Sequence, residues 1–147
     1  MGEHTADRPR IVVGIDGSAP SKAALRWAMR QAELSGAVVE PVLARREPLE
    51  SWYGLAENQS YYDEAAGNYL AEVVDEVLGA DRAGEVRPKV VQGHAAAVLV
   101  EAAQGADLLV IGHRGLGGLA GSLLGSVSRY CVQHATCPVV VVRKPRD

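Results

Sequence analysis

Apolar residues in this chain fall into short dense runs, separated by stretches where they recur every three or four positions. The first dense run, 11–15, reads Ile-Val-Val-Gly-Ile, β-branched and nearly continuous, as expected of a strand buried on both faces. Asp16, Gly17 and Ser18 then form a turn, with Ser18 a helix N-cap and Pro20 in the first helical turn. Over 21–34, Ala24, Leu25, Ala28 and Ala32 keep helical spacing, and Gly36 closes the helix. A second strand is predicted over 37–44. It contains Pro41, which cannot donate to a sheet ladder, so it is expected to bulge there or to be bounded differently.

Residues 45–61 read as irregular and aromatic-rich. A helix follows over 63–78, with Ala66, Leu70, Val73 and Val77 on one face and Gly79 at its end. A third strand spans 86–91, and Arg87, Pro88 and Lys89 mark it as an edge. A short helix at 95–104 turns Val98, Leu99 and Ala102 inward; a buried strand at 107–111 precedes a glycine-rich stretch. A helix at 126–134 and a strand at 138–142 complete the pattern. Strict strand–helix alternation predicts an α/β fold, one domain with an open, mainly parallel five-stranded sheet covered by helices on both faces. The domain is expected over 10–143, with a disordered tail at 1–9 and a polar tail at 144–147.

Composition narrows the function classes. The chain has 147 residues, 48% hydrophobic, with no Phe, so its core is expected to be built from small branched side chains. The net charge is −3 and the 15 Lys and Arg are scattered, which argues against a nucleic-acid stripe. No apolar run approaches the roughly 20 residues of a membrane helix, and the N-terminal segment lacks the apolar centre of a signal peptide. Ala6 stands where a myristoylation motif wants Ser or Thr. A cytoplasmic location is expected. Cys131 and Cys137 lack CxxC spacing and are expected to be reduced, mostly buried fillers, with no metal ligands assigned.

The glycine-rich stretch, 112–126, carries the chemistry. It follows a buried strand and opens a helix, the setting in which main-chain amides and a helix N-terminus converge on an anion. It is not a Walker A loop, since no lysine lies between Lys89 and Lys144, and no dinucleotide fingerprint follows the first strand. Lysine is dispensable in principle. Hydrogen bonds to charged groups contribute roughly 1.5–3 kcal/mol each, against about 8 kcal/mol net for micromolar binding. Arg114 adds a cation if it turns inward.

Gly112, Gly115, Gly125 and Ser126 fit Gly-x2-Gly-x9-Gly-Ser/Thr, the pattern of the ATP-binding branch of the universal stress protein family, and the chain resembles that family at this point. The opening 11–18 and the ending Cys137, Pro138 and the four valines after them resemble the family's first strand and turn and its last strand. The resemblance covers roughly 10–143, and 45–61 offers nothing to match. It implies strand order 3-2-1-4-5, with ATP, with or without Mg, at the break between strands 1 and 4. It implies that Asp16 faces the ribose and adenine side and that Ala44 presents its backbone to the adenine. Ile111 would line the pocket with Val13 behind it. Gly112, Arg114, Gly115, Gly125, Ser126 and Val127 would surround phosphates and ribose, with Ser126 donating its hydroxyl. Leu43 departs from the pattern, standing where many relatives carry His. The resemblance also implies a homodimer through antiparallel pairing of the last strand, Val139–Val142.

Three functions compete on this reading. The first is an ATP-binding regulator in stress response with little or no hydrolysis, at most a weak ATPase. The second is an enzyme that splits ATP at the α-phosphate, which usually carries a further substrate domain. The third is a nucleotide-free dimeric interaction module, and the complete glycine pattern argues against it. His113 is expected to be a solvent-facing loop residue, His94 a turn residue and His134 a helix-end residue, so no catalytic group is assigned. Trp52, Tyr53, Tyr61, Tyr62 and Tyr69, five of the seven aromatics, fall between 52 and 69 and are expected to cover the second helix.

Overall fold

Alternating side-chain direction in the first strand sorts the protein into two layers. In the computed structural model, which describes residues 8–46, 59–114 and 124–143, strand β1 spans Arg10–Ile15. Ile11, Val13 and Ile15 point to one face, where they pack with Ala24, Leu25, Ala28 and Met29 and with Leu70, Val73 and Val74. Val12 points to the other, among Val98, Leu99, Leu109 and Cys131. Leu25, Leu70 and Leu109 are fully buried, and each such side chain contributes roughly 1.5–3 kcal/mol of transfer free energy.

The remaining elements are α1 (Ala19–Ser35), β2 (Val38–Arg45), α2 (Gln59–Leu78), the single turn α3 (Ala80–Ala83) and β3 (Lys89–Gln92). After them come α4 (Ala95–Ala102), β4 (Leu108–Gly112), α5 (Ser126–His134) and β5 (Val139–Val142). All four strand pairings are parallel, and the sheet order is β3-β2-β1-β4-β5, the order expected. Helices α1 and α2 cover one face and α4 and α5 the other.

The caps follow the local chemistry. Ser18 is the N-cap of α1, its hydroxyl accepting from the Ser21 amide, and Gly36 ends the helix at φ 77°. Helix α5 has the predicted bounds. The single turn α3 was not expected, several other bounds shift by one or two residues, and α2, α4 and β3 also differ from expectation. Helix α2 begins at Gln59, so Tyr61 and Tyr62 are helical, while Trp52 and Tyr53 lie outside the described residues. Tyr61 is exposed, its ring edge-on to Tyr62. Helix α4 ends at Ala102. Strand β3 is an edge strand as expected but begins at Lys89.

Pro41 is fully buried inside an unbroken β2. In a parallel strand successive residues direct their N–H and C=O to alternate neighbours. The Val38 amide donates to Pro9 O at 2.8 Å and Val39 O accepts from the Arg87 amide at 2.9 Å. Even positions therefore face β1 and odd positions face β3. The donor Pro41 lacks would point to the β3 side, where the ladder starts only at Val42↔Lys89. Arg87, whose amide meets Val39 O, turns its carbonyl to the same side, so the bond an N–H at position 41 would give to Arg87 O is the one this ladder lacks. Arg8 and Pro9 already belong to the fold, since the Arg8 guanidinium donates to Gly36 O.

Candidate functional site

Strand order reverses between β1 and β4, and the connections leaving them diverge, which opens a crevice at the carboxyl ends of the sheet. A cleft of about 170 Å³ lies there. Its apolar wall is Ile15, Val42, Leu99 and Ile111, and Asp16 and Arg114 are the charged side chains among its described lining residues.

Asp16 follows β1 directly. Its Oδ1 accepts from the Ser18 amide at 2.9 Å and from the Ser18 hydroxyl at 2.5 Å, and its own amide donates to Ser21 Oγ at 3.3 Å. The turn is thus closed by side chains, with Gly17 held at φ 84°. On the other side of the switch, a Cβ on Gly112 would stand 2.6 Å from Pro20 Cβ and 2.7 Å from its carbonyl carbon. Glycine at this position is therefore required by the close approach of β4 to the first turn of α1, whatever binds beside it.

Helix α5 begins at the cleft with Gly125 as its cap, and no side chain caps it. The first amides of a helix have no intrahelical acceptor, so those of Ser126 and Val127 are presented toward the cleft these residues line. Two donors at the start of this helix are engaged within the protein. The Gly125 amide donates to His113 O at 2.8 Å, and the Ser128 hydroxyl donates to Gly112 O at 2.6 Å. Both bonds tie the start of α5 to the end of β4.

Of the residues singled out in the sequence, Asp16, Ala44, Ile111, Gly112, Arg114, Gly125, Ser126 and Val127 line this one cleft. Val13 does not. It is fully buried among the α1 and α2 side chains, below the carboxyl end of β1, where Ile15 on the same face reaches the cleft. Gly115 lies outside the described residues. Gly14, Ser21, Val42, Ala95, Leu99 and Ser128 also line the cleft and were not foreseen. Gly14 carried a usable signal: it interrupts a β-branched run, and a Cβ there would meet Leu99 Cδ1 at 2.7 Å.

His113 is half-buried rather than solvent-facing, and its Nδ1 is buried without a hydrogen-bond partner. Its main chain bridges β5 and α5, the amide donating to Val142 O at 2.9 Å. It does not line the cleft. Among the described residues no group of three His, Cys, Asp or Glu is placed to hold a metal ion. Cys131 and Cys137 are free thiols; burial pushes the Cys131 thiol up to about 11 and raises that of Cys137 as well. Neither forms a reactive thiolate near neutrality.

A family model described as the universal stress protein family matches residues 8–143. The chain belongs to the universal stress protein family. A universal stress protein of Mycolicibacterium smegmatis is 35% identical over 142 residues, covering 90% of this chain and 47% of that one. The chain thus spans about half the length of the curated relatives it matches. Universal stress protein UspA from Lactobacillus plantarum has the same fold, with TM-score 0.74 at 22% identity over 92% of this chain and 97% of that one. A universal stress protein solved in complex with cAMP is 28% identical with TM-score 0.71, covering 93% and 98%. No helix among the described residues is long and apolar enough to cross a membrane.

Proposed function

We propose that this universal stress protein binds an adenine nucleotide, ATP, in the cleft between β1 and β4. On this reading it acts in the cytoplasm as a nucleotide-dependent regulator of a stress response, with little or no hydrolysis. The observation that carries the reading is the start of α5, a helix N-terminus with a glycine cap and no capping side chain, opening onto an apolar slot. In this reading the adenine lies between Ile111, Val42 and the backbone of Ala44, and Asp16 accepts from the ribose. The amides of Ser126 and Val127, the Ser126 hydroxyl, Arg114 and the backbone around Gly115 hold phosphate. In this reading Asp16, held by its bonds from Ser18, serves the sugar and not the phosphate. The donor set fits base, sugar and phosphate. It offers a magnesium ion no cluster of carboxylates among the described residues, so Mg would be carried by the phosphates themselves.

The proposal includes a homodimer. Strand β5 is an edge, all four of its valines are half-buried, and its free side can pair antiparallel with a second copy. Light scattering at micromolar concentration is expected to give a dimer; a monomer refutes this part.

One observation favours a second reading, a nucleotide with a single phosphate. Arg114 is the sole arginine or lysine in 112–128, while a triphosphate brings several negative charges. The relative solved with cAMP belongs to the same family. Denaturing the purified protein and chromatographing what it releases separates the readings. Bound ATP supports the first and cAMP or AMP the second. No released nucleotide and no thermal shift with either leaves the nucleotide-free interaction module.

A further inference from the structure

Tyr69 does not follow the apolar pattern of α2. Its neighbour Leu70 and the following Val73 and Val74 face the sheet, whereas Tyr69 is 43% exposed. The phenol tip has nonetheless a definite seat. A Cβ built on Gly17 would lie 1.8 Å from the Tyr69 hydroxyl oxygen, 2.9 Å from Cζ and 3.3 Å from Cε2. Tyr69 therefore occupies the place where any other residue at position 17 would carry its side chain. Gly17 is required twice over, by this contact and by its φ of 84°.

Gly17 stands between Asp16, which lines the cleft, and Ser18, which donates twice to the Asp16 carboxylate. Glycine populates positive and negative φ about equally when nothing restrains it. A ring seated on its Cα removes that freedom from the turn. The Lys22–Glu76 ion pair, 2.9 Å long, also joins α1 to α2, so the tyrosine is delivered from a helix docked to the same unit. Tyr69 itself is not among the cleft's lining residues.

We propose that Tyr69 is a positioning residue of the cleft: its phenol holds Gly17 in the left-handed conformation and so aims the Asp16 carboxylate at the ligand's sugar. This rests on the nucleotide reading for its purpose, and on the apo geometry for its mechanism. The sugar preference of the site is then set in part from α2, which touches no ligand.

Two measurements test it, on wild type, Tyr69→Ala and Tyr69→Phe. The first is amide hydrogen exchange of Ser18 in the ligand-free protein, read by NMR. Tyr69→Ala is expected to speed Ser18 exchange by about tenfold, while the Leu25 and Ala28 amides in mid-α1 keep their rates. Tyr69→Phe, which keeps the ring, restores most of the protection. The second is calorimetric affinity for ATP and for 2′,3′-dideoxy-ATP. Tyr69→Ala is expected to weaken ATP by about tenfold and the dideoxy compound by less than about twofold. Unchanged Ser18 exchange in Tyr69→Ala overturns the proposal without reference to any ligand. Equal weakening of both nucleotides overturns it in favour of a general structural role. A wild-type protein that binds neither nucleotide refutes the nucleotide reading, and the sugar-aiming role with it, before any variant is compared.

Discussion

The two ends of the sheet both carry concavities, and the larger is the less promising. At the amino end, a groove of about 500 Å³ runs between the end of α1 and the chain entering β3, floored by Met29, Ala37, Val38 and Val86. Of its five charged lining residues, four are already engaged. Arg82 pairs with Glu33 at 2.6 Å and with Glu85 at 3.5 Å, and Arg8 donates to Gly36 O, closing the end of α1. Arg87 remains solvated at the rim. Beneath the same end, Arg10 is bound to the buried Glu40 at 2.8 Å, and its amide donates to Asp107. The carboxyl end has a third of the volume, yet there a nine-residue helix starts with no capping side-chain hydrogen bond among the described residues. Unspent hydrogen-bonding capacity marks a binding site better than volume does.

The comparison breaks or sharpens at five positions. The largest effect belongs to Gly112→Val, whose side chain meets Pro20 within 3 Å at several atoms. Overpacking of this kind costs up to about 3 kcal/mol, a fall in Tm on the order of 10 °C. An unchanged Tm in calorimetry would show that the glycine serves a ligand rather than the β4–α1 contact. Next is Glu40→Ala at the opposite end, which strips the Arg10 guanidinium of its carboxylate. Arg10 keeps 30% exposure, so the loss is expected near about 2 kcal/mol in urea unfolding, with nucleotide affinity untouched.

Arg114→Ala and Gly115→Leu reverse that pattern. The first is expected to weaken ATP about tenfold and the second to abolish measurable binding, both at wild-type Tm. If either unfolds the protein while binding survives, the two ends have been misassigned. The smallest effect is Arg82→Ala. Its ion pairs are solvent-screened, and about 0.5 kcal/mol in stability is the expected ceiling.

Much of this was legible beforehand because it is local. Ser18 as a cap, Gly36 as a left-handed stop and the bounds of α5 each depend on a residue and its near neighbours in the chain. The order of strands followed from the resemblance, and it brought Asp16, Ala44, Ile111, Gly112, Gly125 and Ser126 to one place. Other assignments failed for want of the third dimension. Val13 was given to the pocket, but only the packed fold shows that the cleft opens past it, at Gly14, Ile15 and Asp16. Gly125 was expected among the residues around the phosphates, and only the position of His113 O shows its amide in use.

Sequence alone determined the class of fold, the succession of elements and the family, because hydrophobic period, caps and turn glycines act over a few residues at a time. Tertiary structure decided the rest: that Pro41 sits inside an unbroken β2 facing the edge strand, that Gly112 yields to Pro20, and that Tyr69 rests on Gly17. Each of these is a contact between residues tens of positions apart, and only the packed sheet brings them within van der Waals reach.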